Sequence, residues 1–195
     1  MSTVVVPTPR PVLADIVSKS VLSDAILVVG AAAFVGLLAQ ISFYIHPFVV
    51  PFTGQTLGVL LIGSTLGIRR ALASMTVYVV VGLAGLPWFA SGASGYSAAL
   101  FGYLLGFVLS VTVMSWLASK GNDRNVVSAL GLFVIGELAI YAIGVPWLAI
   151  DLHMSLAKAI TVGMTPYLIF DLAKAVVAGT LLPATWRFVD RSRKG

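Results

Sequence analysis

Asp171 and Lys174 are the residues of this sequence whose types and spacing most clearly offer chemistry. They lie three positions apart inside an apolar run over residues 164–186, and residues three apart share one face of a helix. One interpretation is an ion pair whose members neutralise each other. The other is a ligand site in which the carboxylate accepts and the ammonium donates inside an otherwise apolar pocket. At the level of the sequence both interpretations stand.

Glu137 is the third ionisable residue that lies well inside an apolar run. Such a side chain costs about 2.5–3.5 kcal/mol at mid-bilayer on insertion scales, so all three should face the protein interior and have partners. For Glu137 two roles are open, the balancing of Lys174 and a contact with a partner. The sequence does not distinguish them.

A second polar group, Thr53, Gln55 and Thr56, lies where another apolar run begins. Thr53 could act as the N-cap of a helix that begins at Gly54. The free N–H groups of a helix N-terminus could also meet an anionic ligand. Capping and ligand contact are compatible, so this group remains a candidate for either role.

The sequence lacks the residues and motifs that several kinds of chemistry require. The chain has no cysteine, which excludes disulfides, thiolate metal sites and cysteine nucleophiles. Its two histidines, His46 and His153, have no carboxylate pattern that would complete a metal site. Nucleotide-binding and hydrolase motifs of the types G-x-x-x-x-G-K-[ST], G-x-S-x-G and H-E-x-x-H are also missing. We therefore expect no enzyme activity, no metal and no cofactor, and any ATP-driven work requires a separate subunit.

The composition predicts an integral membrane protein. Hydrophobic residues make up 59% of the chain, charged residues 10%, and the mean hydropathy is +1.03, whereas an ordinary soluble domain has about 25% charged residues. A span needs about 20 residues, so 195 residues can hold six or seven spans in one membrane domain. The net charge of +5 gives almost no support to nucleic-acid binding, because basic residues in such proteins mark cytoplasmic loops.

Apolar runs broken by proline, glycine or charge predict an all-α, polytopic fold with six transmembrane helices. The second and third are short and interrupted by glycines, and short or broken spans usually border a protein-lined cavity. The predicted domain covers residues 25–186, between a cytoplasmic tail at 1–24 and a basic cytoplasmic tail at 187–195. The first tail lacks the pattern of a cleaved signal and is expected to be retained. The six predicted helices are 25–44, 54–68, 70–86, 99–119, 126–145 and 164–186.

The basic residues predict the orientation. With the N-terminus in the cytoplasm, the inner segments contain ten of the 12 Lys and Arg residues and the outer connections contain only Lys158. Both termini should therefore be cytoplasmic, in a multi-pass protein of the cell membrane. The ten inner residues are Arg10, Lys19, Arg69, Arg70, Lys120, Arg124, Arg187, Arg191, Arg193 and Lys194.

Three outer connections result, at residues 45–53, 87–98 and 146–163. The first two contain no Asp, Glu, Lys or Arg, so they can fold over a cavity at low desolvation cost. The aromatic residues Trp88 and Phe89 could instead sit at headgroup level as an interfacial belt. Their position beside a glycine-rich stretch favours a lid.

Small residues at Ala32 and Gly36, four positions apart in the first predicted helix, permit close helix approach. The contact could lie within the fold or with a partner subunit.

Four segments together resemble the BioY family, the biotin-specific substrate-capture subunits, or S components, of energy-coupling-factor (ECF) transporters. The likeness runs from about residue 25 to residue 186. It rests on residues 50–57 (Val-Pro-Phe-Thr-Gly-Gln-Thr-Leu), 85–90 (Gly-Leu-Pro-Trp-Phe-Ala), 102–107 (Gly-Tyr-Leu-Leu-Gly-Phe) and 171–174 (Asp-Leu-Ala-Lys).

The resemblance implies a six-helix bundle that binds biotin as its ligand from outside, under the first two outer loops. It also implies release when a transmembrane coupling subunit and ABC-type ATPases are engaged, with Ala32 and Gly36 as candidate contacts to the coupling subunit. On this hypothesis Asp171 accepts the ureido N–H groups, and Lys174 donates to the ureido oxygen or orients Asp171. Trp88, Phe89 and Tyr96 would cover the apolar rings.

One segment departs from the family pattern. A Gly-Pro-Thr-Gly-Gly-like turn usually precedes the family's Gly-Tyr, whereas this chain has Ala-Ala-Leu-Phe-Gly at residues 98–102. The group that meets the biotin carboxylate is therefore open between backbone N–H groups and the side chains of Thr53 and Gln55. The alternative function is a self-sufficient secondary transporter or facilitator for a small vitamin-like solute, since ion-coupled carriers also bury acid and base in their spans.

Overall fold

The computed structural model describes residues 10–192, and most of them are helical. Predictions that fall on residues 1–9 and 193–195, including Arg193 and Lys194 of the basic tail, lie outside the described residues. A two-residue antiparallel ladder joins β1 (Ser42–Phe43) to β2 (Phe52–Thr53), with Phe43 opposite Phe52. The helices in chain order are α1 (Ala14–Val17), α2 (Val21–Gln40), α3 (Gln55–Thr65), α4 (Ile68–Leu83), α5 (Ala98–Ala118), α6 (Val126–Asp151), α7 (Leu156–Gly163) and α8 (Leu168–Ser192), with 3-10 turns at Ala90–Gly92 and Thr165–Tyr167.

Four helical segments of the described chain are long and apolar enough to cross a membrane: Val21–Gln40, Ala98–Ala118, Val126–Asp151 and Leu156–Ser192. The predicted second and third spans correspond to α3 and α4, which have 11 and 16 residues. At 1.5 Å per residue these helices are about 16 and 24 Å long, shorter than a hydrocarbon core of roughly 30 Å. The segments that the sequence predicted as short are therefore short helices.

The fifth helix is longer than predicted. The sequence predicted its end at residue 145, before Pro146, but α6 continues through Pro146 to Asp151. A proline inside a membrane helix is tolerated where neighbouring groups stabilise the backbone. Here the indole N–H of Trp147 donates to the carbonyl of Ala98 on α5 at 2.8 Å. The predicted connection at 146–163 is thus helical at both ends, because α7 also lies within it.

Helices α5 and α6 approach closely at glycine. A Cβ atom placed on Gly106 of α5 would lie 2.6 Å from the carbonyl oxygen of Ile140 on α6, so only glycine fits at this distance. A second contact joins α5 to α3, where the hydroxyl of Ser115 donates to the carbonyl of Gly63 at 2.7 Å. These contacts hold α3, α5 and α6 around one buried core.

One end of the bundle gathers basic residues. Arg70 on α4 pairs with Asp15 at 2.7 Å and with Asp24 at 2.6 Å. Arg124 donates to the carbonyl of Pro11 at 3.0 Å and lies over the ring of Trp186. The inner segments of the predicted topology therefore meet at one end, which we call the basic end.

The outer surface of the bundle is apolar. Large hydrophobic side chains such as Leu37 (70% exposed), Ile150 (77%) and Ile169 (77%) point away from the core. A surface with many such side chains is unfavourable in water and suits contact with lipid. The bundle is therefore packed as a membrane protein, with an apolar outside as well as an apolar core.

The close approach at Gly106 generates a prediction about stability. Gly106→Ala should destabilise the protein by about 1–3 kcal/mol, because the new methyl group overlaps the α6 backbone and forces the helices apart. Gly131→Ala on α6 is the matched control, since a Cβ atom there has no neighbour within 4 Å. Thermal unfolding of the detergent-purified variants should separate the two. Equal midpoints for both would contradict the packing described here.

Candidate functional site

A cavity of about 120 Å³ lies at the end of the bundle opposite the basic end. This volume is about ten times what a single water requires, so the cavity can hold part of a small organic molecule. Its wall combines the first two outer loops with α3, α5, α6 and α8. Most of the wall is apolar, and its polar side chains include Thr53, Gln55, Thr56, Tyr103, Glu137, Tyr141, Tyr167, Asp171 and Lys174.

The Asp171 carboxylate is the centre of the polar part of this wall. Lys174 Nζ lies 3.0 Å from Asp171 Oδ1, and the Tyr141 hydroxyl donates to Asp171 Oδ2. Lys174 also donates to Thr56 Oγ1 at 2.7 Å. Three helices therefore meet at one charged pair, and each carboxylate oxygen of Asp171 accepts one hydrogen bond from the protein.

Helical spacing explains how each element presents its side chains. Asp171 and Lys174 share a face of α8 at a spacing of three, and Glu137 and Tyr141 share a face of α6 at a spacing of four. Thr56 lies in the first turn of α3. Because α3 begins at Gln55, at the cavity end of the bundle, its short length places this first turn at the depth of the ion pair.

Aromatic residues cover the outer side of the cavity. The ring centroids of Phe52 and Tyr167 lie 4.4 Å apart, and Phe48 packs edge-on against both rings. The Tyr167 hydroxyl donates to the carbonyl of Val50. The first outer loop is thereby tied to the start of α8, directly above Asp171.

The second outer loop is anchored on α2. Gln40 Nε2 donates to the carbonyl of Phe89 at 3.3 Å, and the hydroxyls of Ser42 and Ser91 lie 2.8 Å apart. Gly92 and Gly95 in this loop have positive φ values of 72° and 75°, which side chains disfavour. The second outer loop is thus a defined wall of the cavity.

Five of the seven residues that the sequence proposed for ligand contact line the cavity: Thr53, Gln55, Phe89, Asp171 and Lys174. The prediction that Thr53 is the N-cap of α3 is wrong, although its hydroxyl accepts from the Gln55 N–H at 3.2 Å. The helix begins one residue later than predicted, with Gly54 at the N-cap position. Gln55 donates its amide to the hydroxyl of Tyr78.

Trp88 and Tyr96, the other two proposed residues, do not line the cavity. Trp88 lies behind the wall, where its indole N–H donates to the Tyr78 carbonyl at 2.9 Å and its ring packs beside Gly36 and Gly82. Tyr96 is 64% exposed and packs on Phe101. In this arrangement neither ring lines the cavity, and their role in covering a ligand stays a prediction.

Ala32 and Gly36 face the interior of the fold. Both are buried, Ala32 completely, and a Cβ atom at Gly36 would lie 3.1 Å from Cβ of Trp88. A side chain without exposed surface offers nothing to a partner subunit in this arrangement. In this arrangement the two small residues pack within the fold, and a contact with a partner subunit at these positions stays a prediction.

The sequence indicated no role for Tyr141 and Tyr103. It left Thr56 as a candidate for capping or ligand contact and left the role of Glu137 open. All four line the cavity. A usable signal existed for Tyr141, since it lies one helical turn after Glu137 in an otherwise apolar run. Tyr103, whose hydroxyl donates to the carbonyl of Gly163 at 2.8 Å, lies in one of the four segments that carry the family resemblance.

Comparisons with known proteins agree with this geometry. The model of the BioY family matches residues 11–191. The biotin transporter BioY of Thermotoga maritima is 37% identical over 166 residues, which cover 84% of this chain and 90% of that protein. The biotin transporter BioY2 of Lactococcus lactis is 31% identical over 171 residues, or 86% of this chain and 92% of that protein.

Among solved structures, the S-component for biotin from an ECF-type ABC transporter has a TM-score of 0.77 with this chain. The match covers 87% of this chain and 95% of that chain at 16% sequence identity. At this identity the likeness shows the fold.

The ion pair generates a prediction about stability. Lys174→Met should destabilise the protein by about 3–5 kcal/mol, because it leaves the buried Asp171 carboxylate without its counter-charge. Adding Asp171→Asn to this variant should restore part of the loss. Lys158→Met, at an exposed lysine, is the control. Unfolding midpoints in detergent provide the measurement, and strictly additive effects of the two changes at 171 and 174 would contradict the pairing.

Proposed function

The chain belongs to the BioY family, and on that premise we propose that it is a membrane-embedded subunit that captures biotin from the extracellular side for ATP-driven uptake. The relatives described above are named biotin transporters, and the fold is that of a transport subunit rather than of an enzyme. Biotin is thus a transported ligand and not a cofactor.

One observation carries this proposal: the charged pair of Asp171 and Lys174 lies at the inner wall of a mostly apolar cavity. Biotin combines a cyclic urea, which has two N–H donors and one carbonyl acceptor, with an apolar ring system and an aliphatic chain. A site for such a ligand needs a few polar groups of both kinds in apolar surroundings. The cavity wall has this character.

Asp171 and Lys174 retain hydrogen-bonding capacity for the urea group. Asp171 accepts one protein hydrogen bond at each oxygen, and a carboxylate offers about four acceptor positions in all. Lys174 uses two donors, one to Asp171 and one to Thr56, out of three. Asp171 can thus accept a ureido N–H, while Lys174 donates to the ureido oxygen and holds Asp171 in place.

The apolar rings of the ligand would lie against Phe89, Tyr103 and Tyr167, which line the cavity. Trp88 supports Phe89 from behind, through its contacts with Tyr78. For the ligand carboxylate, Thr53, Gln55 and backbone N–H groups of the second outer loop are candidate donors on the cavity wall.

We place the protein in the cell membrane with six crossings and both termini in the cytoplasm. In this proposal the membrane domain spans residues 25–186 and the basic end faces the cytoplasm. Helices α3 and α4 cross the membrane packed against longer helices. Short helices of this kind suit a span that borders a protein-lined cavity rather than lipid alone. Energy for uptake would come from a transmembrane coupling subunit and ABC-type ATPases, since the sequence has no P-loop of its own.

The role of Asp171 is tested by Asp171→Asn. Asparagine keeps the size of the side chain but removes the charged acceptor, so the ligand N–H loses a charge-assisted hydrogen bond of about 1.5–3 kcal/mol. Titration calorimetry of the purified chain should show biotin binding weakened by a factor of about 10 or more. Asp151→Asn, at the C-terminal end of α6 and not in the cavity wall, should bind like the parent. Parent-like affinity of Asp171→Asn would rule out this role.

Uptake measurements distinguish capture from independent transport. In cells that lack other biotin uptake, labelled biotin should accumulate when the chain is produced together with a coupling subunit and its ATPases. Uptake by the chain alone, at a rate that the coupling module does not change, would instead support the alternative function of a self-sufficient facilitator.

The proposed orientation can be tested directly because the chain has no cysteine. Ser94→Cys lies in the second outer loop and Ser192→Cys at the end of α8, both at exposed positions. In intact cells a membrane-impermeant maleimide should label the first variant, and should label the second only after the membrane is opened. The reverse labelling pattern would show that the orientation is opposite to the one proposed.

A further inference from the structure

Glu137 is a buried acid that the site described so far does not use. It is 6% exposed, and neither carboxyl oxygen has a hydrogen-bond partner among the described residues. Its side chain contributes to the wall of the same cavity as Asp171 and Lys174. The site therefore contains a second carboxyl group whose acceptors are unoccupied.

Glu137 does not serve to neutralise Lys174. Within residues 10–192 the ammonium of Lys174 pairs with Asp171 at 3.0 Å and donates to Thr56 at 2.7 Å, and no ion pair joins it to Glu137. A buried polar group without a partner costs about 1–3 kcal/mol in proteins, and more when it is charged. No hydrogen bond within the described residues therefore offsets the burial of Glu137.

We propose that Glu137 is a ligand-contacting residue that accepts one N–H of a cyclic urea, while Asp171 accepts the other. The proposal rests on the function proposed above and assigns a specificity role to a residue that the sequence left open. A cyclic urea has an N–H on each side of its carbonyl. The cavity wall offers two carboxyl groups and one ammonium N–H to match those three groups.

The protonation state of Glu137 does not affect this assignment. A carboxylate has two acceptor oxygens, and a protonated carboxyl keeps an acceptor oxygen as well. A ligand N–H can therefore be bound in either state.

The test compares three variants of the purified full chain by calorimetry with biotin. Glu137→Gln keeps an acceptor oxygen and should weaken binding less than about tenfold. Glu137→Leu removes both acceptors and should weaken binding about 10- to 100-fold, because a ligand donor is left unpaired. Asp151→Asn changes a carboxyl group on the same helix that does not line the cavity, and this variant should bind biotin like the parent.

Two further readouts separate ligand contact from a structural role. The empty Glu137→Leu protein should unfold at the same temperature as the parent or higher, whereas a structural acid would give a lower midpoint. A biotin derivative methylated at one ureido nitrogen should bind the parent more weakly than biotin does. When the methylated nitrogen is the one that faces Glu137, biotin and its derivative should differ less in affinity for Glu137→Leu than for the parent.

Biotin binding by Glu137→Leu within twofold of the parent would overturn the inference. If that variant does not fold, an unchanged affinity of Glu137→Ala, which also removes both acceptor oxygens, overturns it instead. The proposed function fails in a different way, namely when the parent and Asp151→Asn themselves do not bind biotin.

Discussion

The structure depends on the need to pair ionisable groups inside an apolar bundle. Asp171 lies in a helix surrounded by hydrophobic side chains, and it is stable there because Lys174 on the same helix, Tyr141 on α6 and indirectly Thr56 on α3 converge on it. An uncompensated charge at this depth would cost several kcal/mol. The pairing requires α3, α6 and α8 to meet at one point, so it fixes the place of the cavity as well as its polarity.

The short helices and close contacts follow from this meeting point. Because α3 is only 11 residues long, its first turn lies well inside the bundle, and Thr56 reaches Lys174. Gly106 lets α5 approach the α6 backbone, which keeps Glu137 and Tyr141 directed at the cavity. The uncharged outer loops close the cavity with aromatic side chains, at the end where no basic residues gather.

The order of the helices, the charged pair and the uncharged lid loops could be predicted from the sequence because composition and spacing decide them. The orientation of single side chains could not. Helix α2 is apolar on every face, so no periodicity indicates that Ala32 and Gly36 turn inward while Leu37 faces outward. Trp88 and Tyr96 lie in a loop whose path depends on glycines with positive φ, and no sequence pattern gives the direction of their rings. Pro146 was expected to end a helix, as it often does in water, but α6 continues through it to Asp151.

An experimental structure of the chain with biotin bound tests the central claim most directly. The account predicts that the bicyclic ring lies at the inner wall, with its ureido group within hydrogen-bonding distance of Asp171 and Lys174. The ligand carboxylate should then point toward Thr53, Gln55 and the second outer loop. A reversed ligand, with its carboxylate paired to Lys174 and its rings under the loops, would contradict the account.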